Sequence, residues 1–406
     1  MAKSRKEIAL TAVVLAVGMV GAAILGLFAY VRATATPIHP DATSIPSVTH
    51  VAPLPKWADA VGKGRLIARA GLTEQNLPGL SVAVGADGNI VWAEGFGFAD
   101  LETRVPVAPQ MRFRIAEVSK PLTSIAVGRL LERHKLNLDD EIQTYVPTFP
   151  KKQWPVTLRQ LMGHVSGIRN DAGDEESLEP CERTLDALKR FADEPLRFEP
   201  GTRSNPSSYG WILVSAAVEA AAGEPFFAYM RTKIFEPLGM EDTRSDSSTE
   251  NVLDRATFYY PRFGGDTRYG PESVREGDQT CWAGAGAFLS TPSDLVRFGL
   301  AVDSGTVLQP ATLETLQSAQ RLNSGEDTGY GLGWKLETLD LAGTPSRMVG
   351  HGTKADFIGG TTYLMTFPDR GLVVAVATNI SFADTKSIAL GIAQAFAQAA
   401  KSPAGK

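Results

Sequence analysis

The run MRFRIAEVSKPLT, residues 111–123, holds a carboxylate and an ammonium three positions apart, Glu117 and Lys120, where an apolar stretch gives way to a helix. Helical i,i+3 spacing turns both side chains to one face. A serine in the first position would be a nucleophile with a base one turn later. Here the first position is a carboxylate. The nearby hydroxyl, Ser119, is one residue before the lysine, about 100° round the helix. Further chemistry-bearing residues are His164 in GHVSGI, the segment RSNPSSY at 203–209, and His351-Gly352-Thr353.

Composition bounds what these residues can serve. The chain has 406 residues with 43% apolar and 21% charged side chains, enough for one large domain or two coupled lobes. A net charge of −5 lacks the basic balance that a nucleic-acid partner requires. Five histidines stand apart at 39, 50, 134, 164 and 351 with no HExxH pair, so neither a zinc site nor another metal or cofactor is indicated. Cys181 and Cys281 have no CxxC spacing; sequence alone leaves open whether they form a disulfide.

The elements that position these residues follow in order. Residues 1–7 form a basic tail with Lys3, Arg5 and Lys6, and residues 8–31 run without a charge. As a helix that span covers ~36 Å, enough to cross a bilayer. The charge bias puts the tail in the cytoplasm and the bulk of the chain on the extracytoplasmic, periplasmic side. Ala33-Thr34-Ala35 keeps a cleaved signal, and a secreted product, as the rival. Residues 32–55, rich in Pro, Thr, Ser and Ala, read as an extended tether. The domain spans 56–400. It opens with a helix, then a β-hairpin turning at Asp87-Gly88. Helices dominate the middle; Thr291-Pro292-Ser293-Asp294 starts one of them, and Gly223 and Gly239 stop two. Strands and a last helix close the chain. An N-terminal hairpin and several C-terminal strands give an α+β fold. Its antiparallel sheet is built from both chain ends, and a mostly helical second lobe sits beside it. The sheet lobe takes about 56–115 and 325–400, the helical lobe about 116–324, and the cleft lies between them.

In this order the segments LSVAVGADGNIVWAEGFGFADLE, FRIAEVSKPLTSIAVGRLLE, LRQLMGHVSGI, PLRFEPGTR, IFEPLGMEDT, GAFLSTPSDLVRFG, GYGLGW and VGHGTKADFIGG resemble the serine β-lactamase and penicillin-binding-protein superfamily. The class C-like branch, with its esterases and D-aminopeptidases, is the nearest match, over roughly residues 75–385. The resemblance implies an acyl-serine mechanism: a serine and lysine on one helix turn, a tyrosine that relays the proton, and a Lys/His-x-Gly strand that walls the site.

On that pattern Lys120 takes the lysine position and Glu117 the nucleophile position. Counting from Pro200-Gly201-Thr202 to Gly210-Trp211 puts Pro206 at the tyrosine position and Ser208 at its polar partner. Tyr209 is three residues away, and another gapping would leave Asn205 as an amide donor. His351 and Gly352 keep the third motif, while Thr353 replaces a small residue; with Tyr209 they are the expected substrate wall. His164 reads as a loop or helix-end hydrogen-bonding residue. The expectation is a membrane-tethered pseudoenzyme that binds a small acyl or peptide-like ligand. The alternative is an active hydrolase of esters, amides or β-lactams that uses Glu117 as nucleophile or as general base.

Overall fold

A computed structural model describes residues 5–50, 52–170, 180–250, 252–274, 277–352 and 359–401. Strands β1 (Ser47–Thr49), β2 (Gly79–Ala86) and β3 (Asn89–Asp100) come from the N-terminal part. Short strands follow: β4 (Val105–Pro106), β5 (Phe113–Arg114), β6 (Arg244–Ser245), β7 (Tyr259–Pro261), β8 (Pro271–Ser273) and β9 (Phe288–Ser290). Strands β10 (Lys335–Asp340), β11 (Pro345–Gly352), β12 (Thr361–Phe367) and β13 (Leu372–Thr378) complete the set. The main sheet runs β1-β3-β2-β13-β12-β11-β10, with β4 beside β3. Antiparallel pairing of β13 with β2 joins the two chain ends, as the expected α+β fold requires. The β2–β3 turn places Asp87 at φ 53° and Gly88 at φ 75°. Two left-handed residues match the twist of the strands they connect.

The helices are α1 (Arg5–Ala33), α2 (Ala58–Glu74), α3 (Ser119–Glu132), α4 (Leu158–Met162), α5 (Ser208–Ala222), α6 (Phe226–Tyr229), α7 (Pro292–Asp303), α8 (Pro310–Leu316) and α9 (Thr385–Lys401). Every residue of β2, β12 and β13 is buried, because helices cover both faces of the sheet. Val374 and Val376 pack beneath α2 and α9; Val373 and Ala375 turn to the other core, with α3, α5 and α7. That alternation is the period of two that a strand imposes. Helix α7 begins as expected, with Thr291 capping the Asp294 N–H and Pro292 in the first turn. It packs on β2 and β13, with Gly85 and Gly299 allowing close approach. This layer belongs to the sheet lobe, a correction to the boundary at 324. Gly223 ends α5 in the left-handed conformation.

Two further points depart from or complete the sequence reading. Residues 36–49 are not a free tether. Ile38 N–H donates to the Asn76 side chain at 2.7 Å and the Asn76 amide donates to the Thr36 carbonyl at 3.3 Å. His39 is buried against Phe98, and β1 adds to the sheet edge beside β3. Their polar composition concealed apolar and hydrogen-bonding partners at the sheet edge. The cysteine question is answered as well: Cys181 and Cys281 form a disulfide with Cα atoms 4.9 Å apart.

Candidate functional site

Helix α3 is buried on nearly every side between the sheet and α5, and its first turn carries Lys120. The ammonium is fully buried, and Nζ donates to Glu117 Oε1 at 2.5 Å. Glu117 sits in the 3₁₀ turn Ala116–Val118 that leads into α3, its side chain 30% exposed. Burial works to raise its pKa. The Lys120 charge and hydrogen bond, with His351 and His164, override that and hold the carboxyl at about 2. The helix N-terminus favours the same anion. Ala116, one residue earlier, has φ 45°. A non-glycine residue there stores roughly 1–3 kcal/mol of strain, which the surrounding core must hold. Ser119 is buried, and its hydroxyl has no partner among the described residues.

Two histidines and a tyrosine stand with this pair. His164, at φ 61°, ends the turn after α4. Its ring packs edge-on to Tyr330 with centroids 5.2 Å apart, and Tyr330 lies 6.3 Å from the His351 ring. His164 Nδ1 accepts from Ser207 N–H at 3.3 Å, and His351 Nδ1 from Gly352 N–H at 3.0 Å. Each neutral ring therefore carries its proton on Nε2. Both Nε2 atoms are buried without a partner among the described residues. Burial lowers the His351 pKa to about 4, Glu117 opposing and Lys120 and Lys335 adding to the fall. Burial and the charge of Lys120 also hold His164 well below its ordinary value. Near neutral pH the site is one ion pair faced by two uncharged rings, each offering an N–H. Tyr330 keeps its phenol proton, since burial and then Glu117 raise its pKa.

The other expected site residues scatter. Pro206 is exposed on the loop before α5. Ser207 is the α5 N-cap, its Oγ accepting from Gly210 N–H and donating to the Arg169 carbonyl. Ser208 is the first, half-buried residue of that helix. Asn205 N–H donates to the His164 carbonyl at 2.8 Å, so this loop clamps His164 from two sides. Tyr209, expected on the substrate wall, is instead fully buried, stacked between Phe191 and Trp282 at 4.6 and 5.8 Å. In α5 its position turns inward, and aromatic packing holds it there. Gly352 is at the end of β11, where a Cβ would overlap the Tyr363 ring. Thr353 lies outside the described residues. Among those described, no group of three or more His, Cys, Asp or Glu side chains is arranged to hold a metal.

Sequence reasoning did not bring His164 into the site and did not single out Tyr330. The signal for Tyr330 was its glycine-rich setting, GYGLGW: Gly329 and Gly333 adopt φ 71° and 94°, so the chain turns sharply on both sides of the ring.

Known proteins share this arrangement of elements. The Beta-lactamase family model matches residues 65–397, and the chain belongs to that family. Its relatives include the serine beta-lactamase-like protein LACTB, mitochondrial, of Bos taurus, 27% identical over 84% of this chain and 80% of the relative. Penicillin-binding protein 4* of Bacillus subtilis is 28% identical over 74% of this chain and 67% of its own. The octameric penicillin-binding protein homologue from Pyrococcus abyssi superposes with a TM-score of 0.68 at 24% identity, over 81% and 76% of the two chains; it shares the fold.

Two outcomes follow from the electrostatics. Glu117→Gln leaves a fully buried ammonium without its counter-charge, and should lower unfolding free energy by about 1–3 kcal/mol, below the usual loss for a buried pair because Glu117 is partly exposed. Lys120→Met should lose less, and the double variant should lie near Lys120→Met; urea unfolding of the four chains reads this coupling, and independent, additive losses would contradict it. The second outcome concerns pH. The unfolded chain protonates His351 near 6.5, the fold only near 4, so stability falls as pH drops through that window. Glu117, moved from 4.5 to about 2, adds a loss below pH 4.5. Urea midpoints against pH should show a shallower fall between 6.5 and 4 for His351→Gln; an unchanged slope would contradict the assignment.

Proposed function

We propose that this chain is a membrane-anchored member of the beta-lactamase family whose cleft binds an acyl or peptide-like ligand without forming an acyl-enzyme. The observation that carries this reading is the Lys120–Glu117 ion pair. Glu117 stands where the family resemblance calls for the serine. A lysine committed to a carboxylate has no hydroxyl to deprotonate, and Pro206, at the position of the relay tyrosine, has no proton to pass. The Nε2–H groups of His164 and His351, both without a partner among the described residues, supply what such a ligand needs instead, donors for carbonyl or carboxylate oxygens. The ligand class follows the penicillin binding in a relative's name.

The anchor reading rests on α1. Its segment Val13–Ala33 has a mean hydropathy of 2.3, and none of its most apolar window is buried in the domain. The basic residues ahead of it and the disulfide support an extracytoplasmic domain, since such bonds persist in oxidising compartments.

A second reading, hydrolysis through Glu117, has one observation in its favour. The carboxylate is ionised and partly exposed beside the strained Ala116. Turnover separates the two. The full chain, Glu117→Gln and Lys120→Met are compared on p-nitrophenyl esters, D-amino acid anilides and a chromogenic cephalosporin. The binding reading expects all three proteins to match the background rate. Wild-type turnover lost in Glu117→Gln would establish the hydrolase. Calorimetry with N-acyl peptides bearing a free carboxylate reads the binding itself, which His351→Phe should weaken about tenfold, the value of one buried hydrogen bond; no heat with any of these peptides counts against the ligand class.

A further inference from the structure

The apolar helix does not leave the domain freely. Its last turns are gripped by the hairpin of β7 and β8. The Arg262 guanidinium donates to the Val31 carbonyl at 3.2 Å and to Thr34 Oγ1 at 3.3 Å, and its Nε to the Tyr269 carbonyl at 2.8 Å. It thereby joins Thr34 Oγ1 in capping the Val31 carbonyl, one of those that a helix C-terminus leaves without an intrahelical partner. The Phe28 ring lies 5.9 Å from Phe263 and 5.6 Å from Tyr269, and those two rings touch each other at 6.2 Å. On the far side of this contact, Thr36 and Ile38 are tied to Asn76. Only residues 34–37 link the helix to the sheet edge, and a few residues reach ~10–14 Å at most. The domain therefore sits within that distance of whatever holds α1.

Height along the helix sets the level of the hairpin tip. Phe28 precedes the end of α1 at Ala33 by five residues, ~7 Å at 1.5 Å per residue. The headgroup layer on each side of a bilayer is roughly 5–8 Å thick. With the end of α1 at the water edge of that layer, Phe263 and Tyr269, beside Phe28, would stand where hydrocarbon meets headgroups, the layer in which amphipathic aromatic rings concentrate. Gly264 and Arg268 at the tip are exposed. Arg262 and Arg268 outnumber Asp266, which pairs with Arg268 at 2.7 Å, leaving one net positive charge at the level of lipid phosphates.

We propose that the tip of this hairpin, residues 262–270, is a lipid-contact element that seats in the bilayer interface beside α1 and holds the domain on the membrane in one orientation. This rests on the anchor reading given above.

The test uses the full chain in vesicles of phosphatidylcholine and phosphatidylglycerol. Both native cysteines are in the disulfide, so one introduced thiol can be labelled alone. An environment-sensitive dye is placed at Arg268→Cys, exposed on the tip, and at Lys151→Cys, exposed on the helical lobe. Nitroxide lipids labelled near the headgroup should quench the first at least twofold more than the second. Adding Phe263→Ser to Arg268→Cys should erase the difference with the far-ultraviolet spectrum unchanged. Equal quenching at the two sites, or quenching at 268 that Phe263→Ser leaves intact, overturns the proposal. Intact mass keeps the two readings apart. A chain that has lost the residues before 36 sinks the anchor, whereas an intact chain with equal quenching sinks the lipid contact alone.

Discussion

A fully buried ammonium is the constraint on which the site depends. Taking Lys120 out of water costs several kcal/mol, and a carboxylate in hydrogen-bond contact is the means by which a fold offsets it. Glu117 meets that need from the adjacent turn, 2.5 Å away. The surroundings conform to the pair. Two histidines are held neutral beside it, His351 at about 4, and the phenol of Tyr330 keeps its proton. Charge is confined to one compact couple, and the remaining polar groups of the site act as neutral donors.

The scaffold that holds the couple joins distant parts of the chain. Lys120 is on a helix buried between the sheet and α5, His351 ends a C-terminal strand, and His164 hangs on a loop clamped by Asn205 and Ser207. Strain at Ala116 and at His164 persists because those contacts over-determine both positions. At the N-terminal edge, docking of residues 36–49 and the Arg262 cap connects the same body to α1. The site and the apolar N-terminal helix thus belong to one continuous structure.

Local chemistry was legible in the sequence. Three-residue spacing gave the Glu117–Lys120 face, Asp87-Gly88 gave the hairpin, and Thr291 and Gly223 gave helix ends, because each depends on neighbours a few positions away. The apolar runs at both ends gave the sheet. What stayed hidden depends on long-range convergence: the meeting of His164, Tyr330 and His351, the Cys181–Cys281 pairing, the inward turn of Tyr209, and the docking of a Pro/Thr-rich segment against Asn76 and Phe98. Period and composition report which face of an element is apolar, and say nothing of which loops come together.

The central claim is that the Glu117–Lys120 couple occupies the place of acyl transfer and forms no covalent intermediate. The most direct measurement is the intact mass of the purified chain after prolonged incubation with a fluorescent penicillin and with a fluorophosphonate. The account predicts an unchanged mass with both reagents. A stable adduct mapped to any residue of the site, Glu117 above all, would contradict it.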